Sequence, residues 1–291
     1  MTSAMNPGAF GALSASFCRY ETAAIAVLPI PYDGTATWMK GADRGPQAVL
    51  DASAHMELYD IETGSEVFRH GIVTVTPVDC PEGPRQMTEA VYERARVLLG
   101  DRKFLVGIGG EHSVSIGLVR AAVERFQDLS VLQLDAHADT RQSYNGSRFN
   151  HACVMSRIGE TCPCVQVGIR SMDASETAGL KRDRIFFAHE IVGGADVAPQ
   201  LLKGLTRNVY ITIDLDVLDP SVMPSTGTPE PGGLDWYTLM GLLAPVIKSR
   251  NVVGMDVTEL LPHPDNRAPD FLASKLIYRC LSMIFAPYKK G

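Results

Sequence analysis

At 291 residues the chain is long enough to bury one large α/β core or two smaller ones. Its 45% apolar and 21% charged residues are those of an ordinary globular protein, and no apolar run approaches the roughly 20 residues that span a bilayer. The net charge of −6, spread without long like-charge blocks, argues against nucleic acid or an anionic membrane as partner and is compatible with a cationic small substrate.

Residues 1–17 lack a basic start followed by an apolar segment, so no secretory signal is read and a cytoplasmic location is expected. The six scattered cysteines belong to a chain too large to need a disulfide framework, and reduced thiols are expected. Residues 1–22 read as an N-terminal arm. A first strand over 23–28 ends in the turn chemistry of Pro29 to Thr35. Pro46 opens a helix to about Tyr59, 72–75 form a second strand, and Thr88 caps a helix through Leu99. A third strand, 104–108, breaks at Gly109-Gly110-Glu111-His112-Ser113 and is followed by a helix to about Phe126. The run 130–134 is a buried strand, and 164–168, 184–187, 209–213 and 252–255 supply four more. Helical patterns cover 197–205, 236–248 and 270–284. Alternation of strands and helices predicts a mostly parallel sheet covered on both faces. With no repeat, low-complexity tract or linker, residues 1–291 are read as a single domain.

The chemistry concentrates at strand ends. Asp135, His137 and Asp139 follow the strand 130–134 at every second position, so an extended backbone would turn all three to one side. Asp214 and Asp216 repeat the spacing after 209–213, and His112 follows a strand and a Gly-Gly pair. Asp219 is expected to shape the turn at Pro220, and the Gly- and Pro-rich loop 224–233 to wall the site. Open α/β sheets bind ligands at the carboxyl ends of their strands, where these residues and Glu259 all fall. Four aspartates at one crevice would repel or take up protons unless cations neutralised them. Oxygen-rich ligation with two imidazoles favours two manganese or magnesium ions over zinc. Such a pair commonly activates a shared water for hydrolysis.

Three separated motifs carry a family resemblance: Gly-Gly-Glu-His-Ser at 109–113, Asp-Ala-His-Ala-Asp at 135–139 and Thr-Ile-Asp-Leu-Asp-Val-Leu-Asp-Pro at 212–220. With Pro-Tyr-Asp-Gly-Thr at 31–35 and Gly-Met-Asp-Val-Thr-Glu at 254–259, the chain resembles the ureohydrolases, the arginase and agmatinase family that releases urea from guanidino compounds. The resemblance implies a three-layer α/β/α sandwich around an eight-stranded sheet. It also implies two Mn2+ per chain, one on His112, Asp135, Asp139 and Asp214, the other on His137, Asp135, Asp214 and Asp216. His151, beside Asn150, matches the family's acid/base histidine, and Glu259 the carboxylate that holds the substrate guanidinium. Trimers or hexamers are common in the family, so a homo-oligomer is expected.

Within the family the flanks, such as 41–46 and 57–60, resemble bacterial agmatinases, and the segment 144–149 departs from the arginase pattern. The expected reaction is hydrolysis of agmatine to putrescine and urea by a hydroxide bridging the ions. Arg148, if at the pocket mouth with Asn150, would instead favour a carboxylated substrate such as guanidinobutyrate or formimidoylglutamate. Guanidinopropionate and arginine are further alternatives, and a non-catalytic, metal-stabilised polyamine-binding relative is the competing class.

Overall fold

A strand apolar at every position needs cover on both sides, because alternate side chains point to opposite faces of a sheet. The computed structural model, which describes residues 8–286, provides it with an eight-stranded sheet between two layers of helices. The first half of the chain gives β1 (Ile25–Ile30), α1 (Gly45–Ser53), β2 (Ile72–Thr74), α2 (Pro84–Gly100), β3 (Phe104–Gly109), α3 (Ser115–Arg125) and β4 (Leu129–Leu134). Then come α4 (Val154–Ile158), β5 (Cys164–Ile169), β6 (Ile185–Phe187), α5 (Ala188–Val192) and α6 (Ala198–Gly204). β7 (Asn208–Asp214), α7 (Trp236–Ser249), β8 (Asn251–Thr258) and α8 (Ala268–Phe285) complete it. The strand order is β2-β1-β3-β8-β7-β4-β5-β6 and every pairing is parallel.

Two apolar cores lie on opposite faces. Val27, Val106, Leu132 and Ile211 pack with Val49 of α1, Leu201 of α6, Leu243 of α7 and Leu276 of α8. Their strand neighbours Leu28, Leu105, Val131 and Tyr210 face the other way, onto Val91 of α2, Leu118 of α3 and Val154 of α4. This is the three-layer α/β/α sandwich. Among the described residues no helix is long and apolar enough to cross a membrane.

Several boundaries differ from the sequence reading. α1 ends at Ser53 and not near Tyr59: the Ser53 hydroxyl turns back to the Leu50 carbonyl at 2.6 Å and accepts from Gly11 N–H at 2.8 Å. α2 starts at Pro84, so Thr88 is inside the helix, bonded to the Pro84 carbonyl at 2.9 Å, and caps nothing. The helices α4 and α5 have no counterpart in the reading; at five residues each they are too short for a periodicity to show. Part of the N-terminal arm is packed: Phe10 is fully buried and its N–H donates to Thr74 Oγ1 at 2.8 Å. Residues 1–7 lie outside the described range.

The topology decides where a ligand can sit. After β3 the chain skips sideways to β4, and the gap is filled only when β7 and β8 return between them. The carboxyl ends of β3, β8, β7 and β4 therefore stand side by side at the switch point of the sheet.

Candidate metal centre

Each of these four ends delivers part of one cluster. Past β4 the chain bends at Ala136, where the Asp135 carboxylate accepts from His137 N–H at 2.6 Å, and His137 bridges to Ser171 beyond β5. The run stops at Asp139, whose φ of 52° is costly for a residue with a Cβ. Past β7 a single 3-10 turn, Leu215–Val217, brings Asp216 beside Asp214, whose carboxylate accepts from Asp216 N–H at 3.0 Å. Past β3 the backbone slips between neighbours at Gly110, where a Cβ would stand 2.1 Å from the Tyr32 carbonyl oxygen, and His112 opens the next turn. Past β8, Glu259 adopts φ 68° and donates its N–H to Gly110 O at 2.6 Å. Asp139 and Glu259 are two of six non-glycine residues with positive φ among the described residues, and the two that belong to the site.

Two donor groups result. His112 Nδ1 lies 3.0 Å from Asp135 Oδ2, 3.1 Å from Asp139 Oδ2 and 3.5 Å from Asp214 Oδ2. His137 Nδ1 lies 2.9 Å from Asp216 Oδ2 and 3.8 Å from Asp135 Oδ1. His112, Asp135 and Asp139 form one set able to hold a metal ion, and Asp135, His137 and Asp216 the other, with Asp135 common to both.

The donor set fits divalent cations on observations of its own. His112 Nδ1 is buried without an aligned hydrogen-bond partner, a state that leaves a nitrogen for a metal. Its other nitrogen, Nε2, is 2.9 Å from Thr212 Oγ1, which donates to Asp256 Oδ1 at 2.7 Å. A metal-ligating imidazole is commonly oriented by such a partner on its far nitrogen. The charge balance points the same way. Burial, then Asp216 and Asp139, push Asp135 up to about 7, and burial with Asp216 raises Asp214 well above the carboxylate range. Burial opposes protonation of His137, yet Asp216 and Asp135 outweigh it and push it up to about 10. Cations would replace those protons.

The cluster floors a cavity of about 290 Å³. Glu259 is partly buried at its edge, accepts from His112 N–H at 2.7 Å, and is pushed up to about 8 by burial and by Glu111 nearby. His151 also lines the cavity, in a short turn capped by Asn150, whose side chain accepts from Ala152 N–H. Asp173 and Glu176 form part of the rim, with Arg141 between them at 3.6 and 3.7 Å.

The structure thus brings together His112, Asp135, His137, Asp139, Asp214, Asp216, His151 and Glu259. Asn150 and Arg148 stand outside the cavity lining. Asn150 is buried behind His151, where its side chain shapes the turn. Arg148 points to solvent and pairs with Glu160 at 2.7 Å, and it is not among the residues that line the cavity. Asp219 shapes its turn as expected, accepting from Ser221 N–H at 3.0 Å, and also ties down Gly232 N–H at 2.8 Å.

Supporting residues went unread in the sequence. Gln133, inside an otherwise apolar strand, donates to Asp135 Oδ2 at 2.6 Å and is itself held by Gln166 at 2.6 Å. Arg170 donates to the carbonyls of Asp216 at 2.6 Å and Glu230 at 2.8 Å, clamping the loop 224–233 onto the ligand turn. Thr35 and Glu111 join beside His151. A polar residue alternating out of step in a buried strand was the one available signal, at Gln133 and Gln166.

The profile of the arginase family matches residues 23–283. A protein of Thermus thermophilus named N(1)-aminopropylagmatine ureohydrolase is 39% identical over 268 residues, which cover 91% of each chain. One of the same name from Synechocystis sp. is 36% identical over 280 residues, covering 92% of this chain and 91% of its own. Among solved structures, the agmatine ureohydrolase of Thermoplasma volcanium superposes with a TM-score of 0.85 at 28% identity, over 94% of both chains.

Proposed function

The chain belongs to the arginase family and is an agmatinase-like ureohydrolase, and we propose that it releases urea from a guanidinoalkylamine, with agmatine as its core, on two manganese ions. In this reading one ion sits on His112, Asp135, Asp139 and Asp214, the other on His137, Asp135, Asp214 and Asp216. The oxygen-rich donor set with two imidazoles favours manganese over zinc. Bound there, such ions would supply Lewis acidity and an activated water at neutral pH.

Glu259 carries the substrate assignment. A partly buried carboxylate pushed up to about 8 by desolvation and by Glu111 would gain from a cation, and it borders the cavity beside the donor groups. A guanidinium supplies that charge in planar form and hydrogen-bonds with two parallel N–H groups. Seated there, the substrate carbon is held over the cluster, and the loss of translational freedom lowers the barrier to attack. His151, which lines the same cavity, then moves a proton to the departing nitrogen, giving urea and an amine.

The rest of the cavity favours a cationic tail. Its rim carries two carboxylates, Asp173 and Glu176, against the single cation Arg141, and Arg148 is turned away. The names of the two relatives favour a second reading, N(1)-aminopropylagmatine, whose further ammonium groups the acidic rim would suit. Urea release should be measured on the manganese-loaded protein with agmatine, N(1)-aminopropylagmatine, arginine, guanidinobutyrate, guanidinopropionate and formimidoylglutamate. The two amine-tailed compounds should lead by at least about tenfold in kcat/KM, equivalent to roughly 1.4 kcal/mol. Preference for a carboxylated compound rejects the assignment, and no turnover of any of them with both ions bound would favour a binding protein.

A further inference from the structure

His151 is held by a residue far from it in sequence. Its backbone N–H donates to Thr35 Oγ1 at 3.0 Å, and its Nδ1 is also 3.0 Å from that oxygen. Thr35 is in turn held by Glu111: its N–H reaches Glu111 Oε2 at 2.6 Å, and its hydroxyl reaches Oε1 at 2.6 Å. Ser113 donates to Oε1 as well, and Glu111 is fully buried.

Hydrogen counting fixes the direction of this chain. A carboxylate only accepts, and a threonine hydroxyl has one hydrogen. With Thr35 Oγ1 at 2.6 Å from Glu111 Oε1, that hydrogen belongs between the two oxygens. The Thr35 oxygen then has only lone pairs for His151, so the His151 nitrogen facing it must carry hydrogen.

We propose that Glu111 and Thr35 position His151 for proton transfer, holding it as the Nδ1–H tautomer with Nε2 free to exchange a proton in the cavity. In turnover Nε2 accepts one proton from the water that adds to the guanidinium carbon and passes it to the departing nitrogen as the carbon–nitrogen bond breaks, while Nδ1 keeps its own, so the imidazole ends as it began. The Glu111 charge, relayed by the Thr35 hydroxyl, steadies the imidazolium formed between the two transfers. The parts resemble a base oriented by a carboxylate, with a hydroxyl interposed. The inference rests on the acid/base reading of His151 given above.

The test is a double-mutant cycle on the manganese-loaded protein, with a spectroscopic measurement beside it. Thr35→Val should lower kcat about 10–100-fold, as removal of an outer-shell partner does, with KM and metal content unchanged. Thr35→Ser, which keeps the hydroxyl, should recover most of the loss. Thr35→Val combined with His151→Ala should be no slower than His151→Ala alone, because there is nothing left to position. In the magnesium-loaded protein, nitrogen-15 NMR of the His151 ring should show Nδ1 protonated and Nε2 bare, and Thr35→Val should lose that preference. If His151→Ala kept wild-type kcat, the acid/base reading would fall and this inference with it. If His151→Ala were slow but Thr35→Val were as fast as wild type, if the two losses multiplied, or if Nε2 carried the proton, the positioning alone would be wrong.

Discussion

The two donor groups are built to different depths. Around His112 everything is buried: the imidazole, Thr212 and Asp256 behind it, and Ser115, which also donates to Asp256 at 2.9 Å. His137 has a quarter of its side chain exposed, and its far nitrogen meets only Glu230, at 3.7 Å. One imidazole is set in rotamer and tautomer before any ligand arrives, and the other is oriented from one side only. A preorganised, desolvated seat binds a cation more tightly than an open one, since its donors need no rearrangement and the dielectric around them is low. On the proposed reading the contrast would divide the work: both groups line the cavity, and the inner one would anchor while the outer one, with its more exposed imidazole, would admit solvent and substrate.

Asp135 is where the contrast should vanish, because it belongs to both groups. Asp135→Ala is expected to abolish urea release to background and to drop bound manganese, measured by elemental mass spectrometry, toward zero. The fold should survive, since the substitution removes a carboxylate that crowds Asp216 and Asp139. Full metal content in that variant would show that the two groups are not coupled through Asp135.

His151→Ala probes the cavity outside both groups. It should leave both ions bound and slow turnover by about 10²–10⁴-fold, the range for loss of a general acid/base. Loss of metal in this variant would place His151 among the ligands and erase the distinction between anchoring and proton transfer.

How much of this was legible beforehand follows from sequence distance. The strand-end groups at 135–139 and 214–216 could be read because ionisable residues two apart directly after an apolar strand are a local pattern, although the chain turns at both places and is not extended there. The sheet could be read because a strand covered on both faces is apolar at almost every position, as β1 is. The link from Thr35 to Glu111 and His151 spans 76 and 116 residues and leaves no local pattern. The same holds for Arg170, an ordinary arginine until the fold sets the turn after β7 and the loop 224–233 beside it. Thr88 misled because its hydroxyl is as content with a carbonyl one turn back inside a helix as with a free N–H at its start. For Arg148 the sequence left both a solvent-facing and a mouth-lining placement open, because proximity to His151 in sequence says nothing about which side of the turn a side chain takes.

Thr212→Val tests the depth difference directly. It removes the hydroxyl behind His112 and keeps the shape, so the inner seat should bind manganese about 10–100-fold more weakly while the outer one is unchanged. Calorimetric titration of the metal-free protein resolves the two steps. Equal weakening of both would mean that the outer seat depends on the same support, and the asymmetry between His112 and His137 would be of burial only.

Arg148→Ala is the smallest expected effect and sets the outer limit of the site. The guanidinium is mostly solvent-exposed and bonded to the exposed carboxylate of Glu160, a pairing that contributes about 0–1 kcal/mol. Glu160 also keeps Arg157 at 3.2 Å, so its charge is not left alone. Stability should therefore move by no more than about 0.5 kcal/mol, and kcat/KM on agmatine by less than about twofold, read from urea release and a denaturant melt. A rise in agmatine turnover together with loss of activity on guanidinobutyrate would mean that Arg148 swings into the mouth when substrate binds. In that case the acidic rim of Asp173 and Glu176 would no longer set the charge of the tail on its own.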